Sequence, residues 1–150
     1  MSISENTLPE YLNQTKYIIL ATVNDNTPVL RSLGSFAVEG TAVYFSTHKS
    51  TDKVKQIESN PTVSVFFQHE NQELSSFVNV SITGEADKIA AEEDLAKAVN
   101  LIGARNPGFK ERFEKGEISD NIFFRVDPRE VKILDFSKGI GPGAVQVITV

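Results

Sequence analysis

Apolar and polar residues alternate along this chain in two rhythms. From Lys16 to Phe67 the spacing is mostly that of strands, and from Ala90 to Lys115 it is that of helices. Ser4–Gln14 predicts a short leading helix, capped by Ser4 and apolar at Leu8, Tyr11 and Leu12. Lys16–Val23 is a nearly continuous apolar run, as a buried strand requires. The turn Asn24-Asp25-Asn26-Thr27-Pro28 leads to a second strand, Val29–Val38, so the two predict a hairpin. Glu39-Gly40 turns into Ala42–Thr47, which extends the hairpin to a three-strand meander. A helix over about Thr51–Ser59 faces Val54 and Ile57 inward and stops at Asn60-Pro61. Thr62–Gln68 places Val63, Val65 and Phe67 on one face. Phe77–Ile89 is long enough to bend across a barrel, with Gly84 at the bend or at a close backbone approach.

The second half begins with two helices, Ala90–Ile102 and Pro107–Lys115, which read as an insertion. Ile122–Val126 and Val131–Phe136 return to strand, broken by a turn at Asp127-Pro128, and Ala144–Val150 is the last strand. Six or more antiparallel strands with four helices predict an α+β fold, a small β-barrel that is closed or partly open. Gly139, Gly141 and Gly143 do not form a nucleotide loop. Their spacing is not GxGxxG, and a β-branched strand follows where a helix is needed.

A chain of 150 residues predicts one domain, residues 1–150, able to bury a proper core. The net charge of −5 argues against nucleic acid as a partner, since phosphate backbones need a basic surface. No run approaches a membrane span, and the first residues lack the basic start and apolar core of a signal peptide. The absence of cysteine excludes disulfides and thiolate metal sites and fits a cytoplasmic protein. His48 and His69 are the only imidazoles, so no metal site is expected. Both read as solvent-exposed.

The segment Val43–Phe66 carries the candidate chemistry. A strand ends in Ser46-Thr47, and a polar turn with Lys49, Ser50, Thr51 and Lys53 opens a helix. Free N–H groups and the helix dipole at such a corner favour an anion, and hydroxyls with lysines suit a phosphate monoester. The same residue types also serve as ordinary caps and solvated lysines. Asp52, at the same corner, would repel a phosphate.

Three features together resemble the FMN-binding split β-barrel family, whose namesake is pyridoxamine 5′-phosphate oxidase. Arg31 stands in the second strand, sixteen residues before Thr47. Phe45-Ser46-Thr47 is followed by Thr51 and Lys53, then by Gln56-Ile57 and Asn60-Pro61. Val80–Ala86 is a long strand ending in glycine and a small residue, with Asn79 just before it. The resemblance covers Tyr17–Ala86, with an echo around Asp127–Phe136. It implies a split antiparallel barrel of six or more strands with peripheral helices, and FMN in clefts of a homodimer. It puts the flavin phosphate on Arg31, Ser46, Thr47, Lys49, Thr51 and Lys53, and the ring edge on the backbone of Ser32 and Leu33. Gln68 and Asn79 reach the flavin from the second subunit.

The departures are as informative. Asp52 replaces the basic residue that precedes the helix lysine. Phe36 stands where the oxidase proper has a lysine, and its tryptophan has no counterpart in KGIGPGAVQVITV. Pyridoxamine phosphate is therefore not the expected substrate. The resemblance implies a flavin oxidoreductase with NAD(P)H or another small electron donor or acceptor, its catalytic residues unassigned. The alternative is a non-catalytic FMN- or haem-binding, stress-associated module, with a histidine as axial ligand.

Overall fold

The computed structural model describes residues 3–150. A short helix α1 (Leu8–Asn13) precedes strands β1 (Ile18–Asn24), β2 (Thr27–Leu33), β3 (Phe36–Glu39) and β4 (Ala42–His48). Helix α2 (Asp52–Ser59) leads to β5 (Thr62–Gln68) and β6 (Val78–Lys88). Helices α3 (Glu92–Arg105) and α4 (Pro107–Glu114) come before β7 (Asn121–Asp135) and β8 (Val145–Thr149). All strand pairs are antiparallel. The sheet order is β2-β1-β5-β6-β7-β4-β3, with β8 also on β7.

This is an α+β split barrel. The sheet rolls around one core, so that Leu20 of β1 and Phe36 and Val38 of β3 share it, yet it does not close. Its two edges, β2 and β3, are neighbours in sequence, linked by Gly34-Ser35. The predicted strand Val29–Val38 is therefore two strands on opposite edges, and the three-strand meander is not formed. The chain leaves one edge at Leu33 and enters the other at Phe36, and Ser35 is held to β4 through its carbonyl, which accepts from Ser46 N at 3.0 Å.

Helices α1 and α2 turn Leu8, Tyr11, Leu12, Val54 and Ile57 onto the barrel core. A second apolar layer forms outside, where Ala37, Tyr44 and Phe123 pack under Ala98, Val99, Ile102 and Phe109 of α3 and α4. This explains the helical insertion: it covers the outer face of β3, β4 and β7. Arg105, at the end of α3, stacks over the Phe36 ring at 4.0 Å and donates to the carbonyls of Asn13 and Thr15, tying α3 to the end of α1.

Gly84 behaves as its position suggested. A Cβ there would lie 2.0 Å from the Asp127 carbonyl oxygen, where the β6–β7 register shifts. The predicted turn at Asp127-Pro128 is absent, and β7 runs through it as one strand. Pro128 pairs with Gly84 at this irregularity, where the missing proline N–H interrupts no regular ladder.

Val63, Val65, Phe67, Val78, Val80 and Ile82 all face the barrel core. The outer face of β5 and β6 carries Ser64, Gln68, Asn79, Ser81 and Thr83, with Phe66 as its large apolar member. The alternating apolar positions of these two strands are thus taken up by the barrel core, and their outer face is mainly polar. Among the described residues no helix is long and apolar enough to cross a membrane, and no cluster of three acidic or imidazole side chains forms a metal site.

Candidate functional site

Successive side chains of a strand point to opposite faces, and this divides Ser46 from Thr47. Thr47 follows Val43 and Phe45 to the barrel side. Ser46 follows Ala42 and Tyr44 to the helical side, where its hydroxyl accepts from Asn121 Nδ2 at 2.9 Å. Ser46 therefore brings no side chain to the same place as Thr47.

Around Thr47 a compact cluster forms. Lys53 Nζ donates to Thr47 Oγ1 at 2.7 Å, and Thr51 Oγ1 stands 3.2 Å from the same oxygen. Thr51 is the residue before α2, but its hydroxyl donates to His48 O at 2.9 Å instead of capping the helix. The first turn of α2 is left without a side-chain cap, as a site for an external anion requires. Lys49 does not join the cluster. Its Nζ pairs with Asp120 at 3.1 Å on the exposed side of the turn.

Arg31 reaches the same region from β2. It pairs with Leu20 of β1 and shares that residue's inward face. Its Nη1 donates to Thr22 Oγ1 at 2.7 Å, and its Nη2 to Gln56 Oε1 at 2.9 Å. Thr22 in turn donates to the same Gln56 oxygen at 2.6 Å. Thr22 and Gln56 were not picked out as site residues from the sequence. The available signal was Thr22 itself, a hydroxyl on the inward face shared with Ile18 and Leu20.

The electrostatics are unusual for an acidic protein. Among the described residues, neither Arg31 nor Lys53 has a carboxylate within ion-pair distance. Burial lowers the Lys53 pKa from its ordinary value, the neighbouring Arg31 lowers it further, and Asp52 partly offsets both. Burial also lowers that of Arg31, again against the attraction of Asp52. Asp52 itself is exposed in the first turn of α2. Two partly buried cations near enough to repel each other are costly without a counter-charge, a setting that suits an anion.

Ser32 and Leu33 continue along β2, whose outer edge has no partner strand among the described residues and so offers free backbone N–H and C=O groups. Gly34 lies just beyond, roughly 10 Å along an extended chain from Arg31. It lines an open cleft of about 520 Å³ together with Lys16, Arg105 and Asn106. Gln68 and Asn79 pair with each other on the outer face of the barrel, away from the Arg31–Lys53 cluster.

The two histidines are engaged locally. His69 is half-buried, not exposed as expected, because its ring stacks on Tyr11 at 3.7 Å and its Nε2 contacts the Tyr11 carbonyl at 2.8 Å. His48 is exposed as expected, with Nδ1 2.7 Å from Ser50 Oγ.

The family model described as pyridoxamine 5′-phosphate oxidase matches residues 5–135. No curated protein matches the chain. Among solved structures, the chain is similar to a conserved hypothetical protein from Mycobacterium tuberculosis, at 19% identity over 94% of this chain and 91% of that one, with a TM-score of 0.78. It is also similar to an FAD-binding protein from Mesorhizobium loti, at 17% identity over 87% and 92% of the two chains, with a TM-score of 0.69. A haem-binding protein from Mycobacterium smegmatis shares the fold at 15% identity over 99% of this chain and 59% of that one, with a TM-score of 0.78.

Proposed function

Because the chain belongs to the pyridoxamine 5′-phosphate oxidase family, we propose that it is an FMN-binding flavoprotein, a cytoplasmic homodimer that exchanges electrons with NAD(P)H or another small donor or acceptor. The carrying observation is the unneutralised pair Arg31 and Lys53 beside Thr47, Thr51 and the uncapped first turn of α2. In this reading these groups hold the FMN phosphate, and the backbone of Ser32 and Leu33 meets the polar edge of the ring. Gln68 and Asn79, outside the barrel and away from their own chain's cluster, serve the flavin of the second protomer. FMN, when bound, supplies the redox chemistry. The cleft at Gly34 gives a small molecule room beside the β2 edge. Phe36, wholly buried under Arg105, offers nothing to pyridoxal phosphate where the oxidase proper has a lysine.

The flavin reading is favoured over haem. A haem axial ligand needs a ring nitrogen free to meet the iron, but His69 spends Nε2 on the Tyr11 carbonyl and the exposed His48 turns its Nε2 toward Asp120 at 3.9 Å.

Titration of the purified protein tests the phosphate cradle. FMN binds much more tightly than riboflavin, and Arg31→Ala or Lys53→Ala weakens FMN by about 1–3 kcal/mol each. Equal affinity for riboflavin and FMN would falsify the cradle. A sharp Soret band in the purified protein would replace flavin by haem.

A further inference from the structure

The partners of Arg31 are all uncharged, and this choice has a chemical logic. An arginine presents five N–H groups in a planar fork. Nη1 is spent on Thr22 Oγ1 at 2.7 Å, with the carbonyls of Leu20 and Val29 both at 3.3 Å. One hydrogen of Nη2 is spent on Gln56 Oε1 at 2.9 Å. Thr22 Oγ1 and Gln56 Oε1 lie 2.6 Å apart, so the two oxygens meet the end of the guanidinium much as the two oxygens of a carboxylate would. Among the described residues, the Nε–H and the second Nη2 hydrogen have no acceptor.

We propose that Thr22 and Gln56 form a neutral counterfeit of a carboxylate, a clamp that orients Arg31 without cancelling its charge. Gln56 is the positioning residue. Its amide oxygen accepts from both Thr22 and Arg31, whereas the amide nitrogen accepts from neither. A glutamate at the same place would hold the arginine as well or better, but would neutralise it and add a negative charge to the cradle. The clamp fixes the flexible side chain before the ligand arrives, so less side-chain entropy is lost on binding. It leaves one free edge of the fork for two oxygens of a phosphate. The inference rests on the phosphate reading of this site and adds what tunes it.

The test compares wild type with Gln56→Glu, Gln56→Leu and Thr22→Val, using FMN, riboflavin and inorganic phosphate as probes. Melting temperature of the unliganded protein is a second readout. Gln56→Glu leaves the unliganded melting temperature equal or higher, yet weakens FMN about tenfold or more, because a new charge now faces the phosphate. Riboflavin affinity stays within about twofold of wild type. Gln56→Leu and Thr22→Val weaken FMN less than Gln56→Glu does, and they lower the melting temperature. The protection that inorganic phosphate gives against melting falls in the same order. If Gln56→Glu binds FMN and phosphate like wild type, or if Gln56→Leu is the weaker binder, the neutral clamp is wrong. If wild type is protected by phosphate but does not prefer FMN over riboflavin, the cofactor assignment falls while the clamp stands. A wild type indifferent to both anions removes the two together.

Discussion

Lys53 links the site to pH. Burial and Arg31 hold its pKa below the ordinary lysine value of 10.5, against the opposing pull of Asp52. A bound phosphate favours the charged lysine and raises that value again. Above about pH 7, where a phosphate monoester is already dianionic, FMN affinity therefore stays level and then falls as pH rises through the depressed Lys53 value. The unliganded protein moves the other way. Unfolded Lys53 binds its proton more firmly than folded Lys53, so stability rises with pH between the two values. Titrations across this range show both trends in wild type and neither in Lys53→Met; matching profiles would remove Lys53 from the phosphate. Much of this site was legible in the sequence. Thr47, Thr51 and Lys53 converge because strand, turn and helix fix their spacing, and Arg31 joins them from β2. The Ser46 side chain lies on the opposite face, as the two-residue period of a strand already separates it from Thr47. Lys49 pairs instead with Asp120, and no local pattern carries that contact, since Asp120 arrives from beyond the helical insertion.

At the scale of elements, the informative errors are both about continuity. A strand was read straight through Gly34-Ser35, and another was broken at Asp127-Pro128, because glycine and proline mark interruptions only in relation to what lies opposite. Opposite Pro128 lies Gly84, where the ladder is already irregular. Opposite Leu33 lies Ile18, and beyond Gly34 the chain must cross to β4. Gly84 itself was readable, since a lone glycine inside a strand signals close approach. Its replacement is correspondingly expensive. Gly84→Ala forces its methyl onto the Asp127 carbonyl and destabilises the fold by about 3 kcal/mol, as overpacking of a tight site does. Urea unfolding measures this, and a loss under about 1 kcal/mol would mean that β6 and β7 part without strain.

For the whole molecule, the proposed sharing of a flavin between two barrels would make assembly and cofactor binding one equilibrium. Sedimentation at falling protein concentration shows the proposed dimer persisting to lower concentration when FMN is present. A monomer with undiminished FMN affinity would remove Gln68 and Asn79 from the partner's site. The sequence placed the barrel and its helices but not the outer surface, because apolar alternation along β5 and β6 cannot say how much of it one core absorbs. The open barrel has a further consequence, in aggregation. Edge β3 is short and packs against α1 and α3, but β2 is seven residues long and, among the described residues, its outer edge is bare. Such an edge invites strands from other chains, and two devices discourage it: Pro28 near its start and a charged side chain turned inward. That inward charge is Arg31, so the residue proposed to receive the phosphate also keeps β2 from recruiting a stranger.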